Sequence, residues 1–366
     1  MLEKILKEKD YIPVMKNQNG EDVTPENLSE WRKYMFEALC KHSYGWTKPN
    51  PISTTYKVDG KKLTAYAGKV IEESITVSFE TDKGVCSFPA MIYIPKKVDT
   101  PPVILHLAFR PVPDMYIPIE EITDHGFAVA VVCYKDMMND EHYGDFSGGI
   151  GEYFGVGNPR EDEEWGKIGM WAYGASRLMD CLMQRDDIDT KHIAVMGHSR
   201  LGKTALWTAA QDERFFAAIS NNSGYGGAAS SKKGKGERVS DFLRLGSWDW
   251  YCENFKLYGG ELEDFKPYDQ SFLLALIAPR YLCVGSAVLD KGADPEAEFL
   301  TTLHASPIWS LYGKPGLVCP DRMPTTTDSF DEGSIHYHLR EGMHFLSRED
   351  WVAYIKFLKT KIAEEK

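Results

Sequence analysis

The stretch Gly197 to Thr204, GHSRLGKT, supports two different chemistries. It satisfies G-x-x-x-x-G-K-[ST] in full, so its backbone N–H groups could cradle a phosphate, with Lys203 and Thr204 as phosphate and Mg²⁺ contacts. In the other reading, Ser199 is a nucleophile held on a tight turn between a strand and a helix. A serine hydroxyl is a weak nucleophile at neutral pH until a base takes its proton. The base in turn needs a carboxylate to fix its tautomer and steady its cation. Two residues downstream have the right types: Asp290, just after RYLCVGSAV, and His344, between IHYHLR and the last helical stretch. Asp294 is the fallback for the acid.

The elements around these residues decide between the two chemistries. Ile193 to Met196 is a short apolar run of strand type, and Leu201, Ala205, Leu206 and Ala209 follow at helical spacing. PPVILHLAF (101–109) and GFAVAVVCY (126–134) are continuous apolar runs, the mark of strands buried on both faces. A phosphate loop usually follows the first strand of its domain, whereas at least four strand candidates precede this one. It also needs a carboxylate at a neighbouring strand end for Mg²⁺. The next strand ends SNNSG, which leaves only Asp136, after VAVVCY, in a tolerable place. The nucleophile reading meets more of its requirements, because Ser, then Asp, then His is the chain order of the α/β-hydrolase fold.

The pattern predicts an α/β architecture: a mostly parallel central sheet flanked by helices, with an antiparallel N-terminal edge. That edge is AYAGKVIEESITVSFET and CSFPAMIYIPK, which alternate on either side of a turn at Lys83-Gly84. A helix is expected over Ile117 to His125, a long one over Glu164 to Gln184 and a closing one over Arg348 to Lys361. Residues 1–55 are expected to be an extension packed on a single catalytic domain, 56–366. The extension carries a helix over Pro25 to Lys41 that Asn27 or Thr24 could cap.

Composition excludes several classes. A formal net charge of −12 argues against nucleic acid and against an anionic membrane surface. No run approaches the roughly 18 apolar residues of a membrane span. The seven cysteines are odd in number and lack C-x-x-C spacing, so they are read as reduced thiols. MLEKILKEKDYIP has no apolar h-region or cleavage site, so the chain is expected to be cytoplasmic, or secreted if a signal has been removed ahead of it. His336 and His338 alternate on one strand and with His344 raise a metal site, but no carboxylate or cysteine spacing supports it. The Gly-rich loop (144–157) has no G-x-G-x-x-G between a strand and a helix. Neither a cofactor nor a metal is expected.

The form Gly197-His198-Ser199-Arg200-Leu201-Gly202-Lys203 departs from G-x-S-x-G and resembles the glucuronoyl esterases, carbohydrate esterase family 15. The similarity continues through ALWTAAQDERFFAAISNNSGYGGAA, KGERV, WYCENF, ALIAPR, DKGADPEAEF and YHLREGMHFLSREDW, covering roughly residues 160–355. The resemblance implies Ser199 as nucleophile and His344 as base, with Arg200 helping the oxyanion hole. It implies that Lys203 and Glu237 bind the sugar. The family's acid stands at one of two places; one holds Asn222 here, and the other is Asp290. This chain departs from the family at Gly292, where members often carry Trp. It departs again in AFRPVPDMYIP, whose Phe109 or Arg110 N–H is the candidate second oxyanion donor.

The expected function is therefore serine ester hydrolysis on a carbohydrate ester, most of all a glucuronoyl-type ester. The alternatives are an acetyl-xylan or acetyl-sugar esterase with the same three residues, a nucleotide-binding P-loop protein, and a catalytically silent sugar-binding relative. Trp248, Trp250, Tyr251 and Tyr258 are candidate sugar-stacking walls, Trp250 foremost. Lys232, Lys233, Lys235 and Arg238 are expected either to place positive charge near the pocket or to form a solvated basic loop. The expected partner is a small-molecule or oligosaccharide ester, and the oligomeric state is left open.

Overall fold

The continuous apolar runs become strands covered on both faces. The structure, a computed structural model, describes residues 1–365. Its strands are β1 (Ser53–Ala65), β2 (Val70–Thr81), β3 (Gly84–Pro95), β4 (Val103–Ala108), β5 (Ala128–Cys133), β6 (Ile193–His198), β7 (Ala217–Asn221), β8 (Tyr281–Ala287), β9 (Ser329–Phe330) and β10 (Ile335–Arg340). They form one sheet in the order β1-β2-β3-β5-β4-β6-β7-β8-β10-β9. From β5 through β10 the neighbours are parallel. At the N-terminal edge β1, β2, β3 and β5 pair antiparallel.

Alternate residues of each central strand serve two cores. Leu105, Leu107, Ala130, Val132, Ile193 and Val195 pack with the helices Lys167–Leu182 and Arg200–Gln211. Ile104, Val129, Val131, Ala194 and Met196 face the other way, against Trp351, Tyr354, Phe357 and Leu358 of the helix Arg348–Glu364. With both faces covered, no polar residue is needed at alternate positions, which is why the sequence lacks alternation there. Leu2, Tyr11, Val14, Trp31, Met35 and Leu39 join the first of these cores. Trp31 Nε1 donates to the Val14 carbonyl at 2.8 Å.

The expected helices are present at Leu28–Leu39, Ile119–Asp124, Lys167–Leu182 and Arg348–Glu364. Asn27 is at the N-cap of the first, but its side chain accepts from the Thr24 N–H at 2.9 Å instead of capping the helix. The strand region starts earlier than the alternation suggests. β1 begins at Ser53, eleven residues before the apolar alternation starts near Thr64, and it is mostly exposed. It is held by its ladder to β2 and by ion pairs such as Lys61–Glu73 at 2.7 Å and Lys62–Glu72 at 2.6 Å. A strand with no apolar face leaves no hydropathy signal.

The order of the strands fixes where a site can form. β5 lies on one side of β4 and β6 on the other, so the winding reverses at β4. A crevice opens there, outside the carboxyl ends of the parallel strands. Phe109 and Ser199, the residues that directly follow β4 and β6, stand at its edge.

Candidate active site

Ser199 joins β6 to the helix Arg200–Gln211 with φ 57° and ψ −129°. Such a backbone is strained for any residue but glycine, and persists only where the surroundings hold it. Here the Ser199 N–H donates to the Asn221 carbonyl of the neighbouring strand at 2.9 Å. Gly197 must be glycine, since a Cβ there would lie 2.0 Å from the Leu201 carbonyl oxygen. The second glycine is at 202 because that face of the helix meets the loop after β7: a Cβ on Gly202 would lie 3.0 Å from Ser223 Cβ. Leu201 faces the core, wholly buried. The one-residue departure from G-x-S-x-G thus follows from where the helix touches its neighbour.

His344, on the loop after β10, has its Nε2 2.8 Å from Ser199 Oγ. Its Nδ1 is 2.6 Å from Asp290 Oδ2, on the loop after β8. Asp290 is 6% exposed and accepts from Asn222 Nδ2 at 2.8 Å and from the Ala293 N–H at 3.3 Å. Burial pushes its carboxyl up, but the bond and charge of His344, with Asn222 and Ala293, outweigh that and leave it below the usual carboxylate range. Asp294 is engaged elsewhere. It caps the helix Pro295–Ala305 through the Ala297 N–H at 3.1 Å and accepts from the Lys235 and Gly236 N–H groups at 2.5 and 3.1 Å.

Arg200 is the first residue of its helix, so its N–H has no intrahelical acceptor and adds to the positive end of the helix dipole. Its guanidinium is fixed: Nη1 donates to Asp140 Oδ2 at 2.5 Å and the group lies 4.2 Å from the centroid of the Trp250 ring. Trp250 Nε1 donates to the other Asp140 oxygen at 3.0 Å. Asp140 is in no motif, and nothing in the sequence pattern marks it.

His198 was not singled out either, although it belongs to the motif. Its ring centroid is 4.5 Å from that of His344, and its Nδ1 is 2.8 Å from Asn221 Oδ1. Burial, then the neighbouring His344 charge, lower its pKa to about 4, so it is neutral at physiological pH. A cavity of about 350 Å³ opens beside Ser199 and His344, with Phe109, Arg110, His198 and Arg200 in its wall. The rest of that wall is Tyr116, Ile117, Phe345, Leu346 and Trp351 together with His106 and Asp114.

Lys203, 3% exposed, directs its ammonium at the carbonyls of Ser223 and Tyr225, both at 2.6 Å, and at Glu237 Oε2, 3.1 Å away. Thr204 Oγ1 donates back to the Arg200 carbonyl at 3.0 Å. The two residues that a phosphate loop would turn toward its ligand are therefore both turned into the protein. Lys203, Glu237 and Trp250 lie outside the lining of the Ser199 cavity.

Contrary to the first of the two expectations, the basic loop does not charge the pocket. Lys232 pairs with Asp10, Lys235 with Glu296 and Arg238 with Glu263, while Lys233 donates to the Glu8 carbonyl. Trp248, Tyr251 and Tyr258 are also absent from the cavity wall. His336 and His338 bond each other at 2.9 Å, and His338 Nε2 is 2.8 Å from Asp350 Oδ1. Among the described residues no helix is long and apolar enough to cross a membrane.

The strand order, a positive-φ serine between a parallel strand and its helix, and His and Asp on the loops after β10 and β8 define an α/β-hydrolase. A family model described as glucuronyl esterase of fungi matches residues 75–313, and the chain belongs to this family. A carbohydrate esterase from an unknown prokaryotic organism is 39% identical over 246 residues, 65% of this chain and 54% of that protein. A 4-O-methyl-glucuronoyl methylesterase of Thermothelomyces thermophilus is 30% identical over 311 residues, 81% of this chain and 71% of that one. Among solved structures, a glucuronoyl esterase from Solibacter usitatus superposes with a TM-score of 0.87 at 32% identity, covering 95% of this chain and 97% of that one. The chain spans 54% of the length of the first of these relatives.

Proposed function

We propose that the chain hydrolyses glucuronoyl-type esters by a serine acyl-enzyme route, with Ser199 as nucleophile, His344 as base and Asp290 as acid. The observation that carries this is the single imidazole lying 2.8 Å from Ser199 Oγ and 2.6 Å from Asp290 Oδ2. Ser199 Oγ attacks the ester carbonyl as His344 Nε2 takes its proton, and Asp290 stabilises the imidazolium. The oxyanion is held by the Arg200 N–H and by a donor at Phe109 or Arg110, with the fixed Arg200 guanidinium adding positive charge. Collapse returns the proton to the leaving alcohol. Water, deprotonated by His344, then adds to the acyl-enzyme and releases the acid.

The walls favour a uronoyl over an acetyl ester. In an acetyl ester of a sugar the carbohydrate is the alcohol, so a polar sugar ring would have to sit against the apolar part of the cleft. With the carbohydrate as acyl group, Phe109, Tyr116, Ile117, Phe345 and Leu346 face an apolar alcohol instead. The family resemblance adds Glu237, bonded to Lys203 and outside the cavity lining, as the sugar contact, while Trp250 packs against Arg200. Seven free cysteines, five of them buried, support a reducing compartment such as the cytoplasm.

The test joins fluorophosphonate labelling to a pair of substrates. Labelling at Ser199 with hydrolysis of methyl or benzyl glucuronate is expected. Turnover of acetylated xylan alone would replace the uronoyl reading by the acetyl one. Ligand binding without labelling would mean a silent sugar-binding protein.

A further inference from the structure

A cavity larger than the one at Ser199, about 570 Å³, lies at the opposite end of the sheet. Its walls include Asn50 to Thr54 leading into β1, the helix Lys167–Leu182 from Ala172 onward, and the turn from Gln211 to Arg214 leading into β7. Ser199, in contrast, follows the far end of β6. Volumes of about 300–1,000 Å³ are those of small-molecule sites.

One side chain in this wall is only partly partnered. Arg177 is 3% exposed; its Nε is ion-paired with Asp180 Oδ2 at 3.0 Å, while its Nη1 has no hydrogen-bond partner. Asp180 Oδ2 also accepts from Thr54 Oγ1 at 2.7 Å, and Asp180 Oδ1 accepts from Arg214 Nη1 at 2.7 Å. Arg214 is bonded twice more to Asp212, at 2.8 and 2.7 Å. The Arg177 guanidinium also rests on the Tyr173 ring, 4.5 Å from its centroid. A buried guanidinium nitrogen without a partner is costly.

We propose that this cavity is a second binding site, and that it takes a neutral, hydroxyl-rich ligand, a short segment of uncharged pyranose chain. Two arginines and two aspartates leave the wall without net charge, which disfavours a phosphate or a polyanion. In the remaining wall Asn50, Ser53 and Gln184 stand among Phe36, Ile52 and Tyr173, a mixed surface that suits a sugar better than a lipid. A sugar hydroxyl accepts from Arg177 and at the same time donates to Asp180 or Asp212; a carboxylate can only accept. Bound there, the backbone of a polymer would be tethered to the enzyme while Ser199 acts on an ester elsewhere along it, which raises the local ester concentration without a new catalytic contact. The choice of a sugar rests on the carbohydrate-esterase reading, but binding is measured without turnover.

The experiment is calorimetric titration of xylotetraose into the full chain carrying Ser199→Ala, alone and combined with Arg177→Met or Ser53→Trp. The exposed Ser53 admits a bulky plug even where loss of the buried Arg177 prevents folding. Weak saturable binding is expected, reduced by about tenfold or more in either variant. In the Ser199-containing protein, Ser53→Trp should leave hydrolysis of monomeric methyl glucuronate unchanged and slow release from polymeric glucuronoxylan. Absence of xylotetraose binding, undiminished binding in the folded variants, or binding of inorganic phosphate or glucuronate in its place overturns the proposal. An inactive esterase whose xylotetraose binding is still blocked by Ser53→Trp would overturn the proposed function and leave this site standing.

Discussion

Asn222 Nδ2 donates to Asp290 Oδ2 at 2.8 Å, from the end of β7, one of the two places where the resemblance allows an acid. The other candidate acid position therefore clamps the carboxylate that pairs with His344. Asn222→Ala should release this clamp and lower kcat/KM by about tenfold, the worth of one charge-assisted hydrogen bond. Asn222→Asp should be worse than alanine at neutral pH. Two carboxylates at that distance cannot both ionise freely, and a proton shared between them weakens the hold on His344. The check is kcat/KM against pH for both variants, with unchanged circular dichroism as the folding control.

Removal of the three principal groups should give a graded pattern. Ser199→Ala and His344→Ala each are expected to lower kcat by at least about 10⁴-fold, and the double variant should be little worse than either, since they act as one unit. Asp290→Asn should cost about 10⁴-fold as well, because an amide at that place favours the wrong imidazole tautomer. Pre-steady-state labelling by a fluorophosphonate reads the first step alone. Full-rate labelling in Asp290→Asn would remove that residue from the mechanism.

The chain order of Ser199, Asp290 and His344 was legible because each stands at a strand end that apolar runs mark clearly. Two continuous runs, β4 and β5, were equally legible as strands covered on both faces. β1 was not, because an exposed polar strand pairs through its backbone and its ion pairs and shows no apolar period. Asp140 and Asn222 were out of reach for another reason: their roles come from contacts 60 and 68 residues away in the chain, with Arg200 and Asp290. Spacing also misplaced charge. Lys232, Lys235 and Arg238 read as a basic patch, but each has a carboxylate partner from a distant segment.

Lys203 gives a prediction that separates support from contact. Its ammonium is buried on two carbonyls and Glu237. Lys203→Met should destabilise the protein by about 2 kcal/mol or more, because buried acceptors lose their donor. Glu237→Gln, at a half-exposed carboxylate, should leave stability nearly unchanged and raise KM for glucuronoyl esters while kcat falls less. Urea denaturation and steady-state kinetics on the same preparations distinguish the two residues. Equal stability losses would contradict the division of labour.

Glu298 sets a pH dependence of stability. It is wholly buried behind the loop after β7, accepting from the Ser223 and Gly224 N–H groups at 2.8 and 3.0 Å and from Ser286 Oγ at 2.6 Å. Burial pushes its carboxyl up to about 7, against 4.5 for an ordinary glutamate. The folded chain thus binds this proton more tightly than the unfolded chain. The contribution is fully present below pH 4.5 and is lost as pH rises through about 7. Its size across that window is on the order of 3 kcal/mol. Glu298→Gln, which cannot titrate, should flatten the stability profile between those pH values in urea titrations. An unchanged slope would show that another group is responsible.

The apolar side of the Ser199 cavity predicts the leaving group. Tyr116, with the Arg110 guanidinium 3.8 Å from its ring centroid, and Phe345 both project from exposed loops into the wall. A methyl ester leaves this surface wet, whereas a benzyl ester covers it. At about 25 cal/mol per Å² of apolar area, burying half of a phenyl ring against these residues is worth roughly tenfold in kcat/KM. Benzyl glucuronate should therefore be hydrolysed about tenfold more efficiently than the methyl ester. Tyr116→Ala and Phe345→Ala should each reduce that ratio while leaving the methyl ester rate nearly unchanged. Both residues lie at the exposed mouth, so neither substitution should disturb the fold. A ratio that stays constant in both variants would place the alcohol on the opposite side, toward Trp250, and reverse the assignment of the two halves of the cleft.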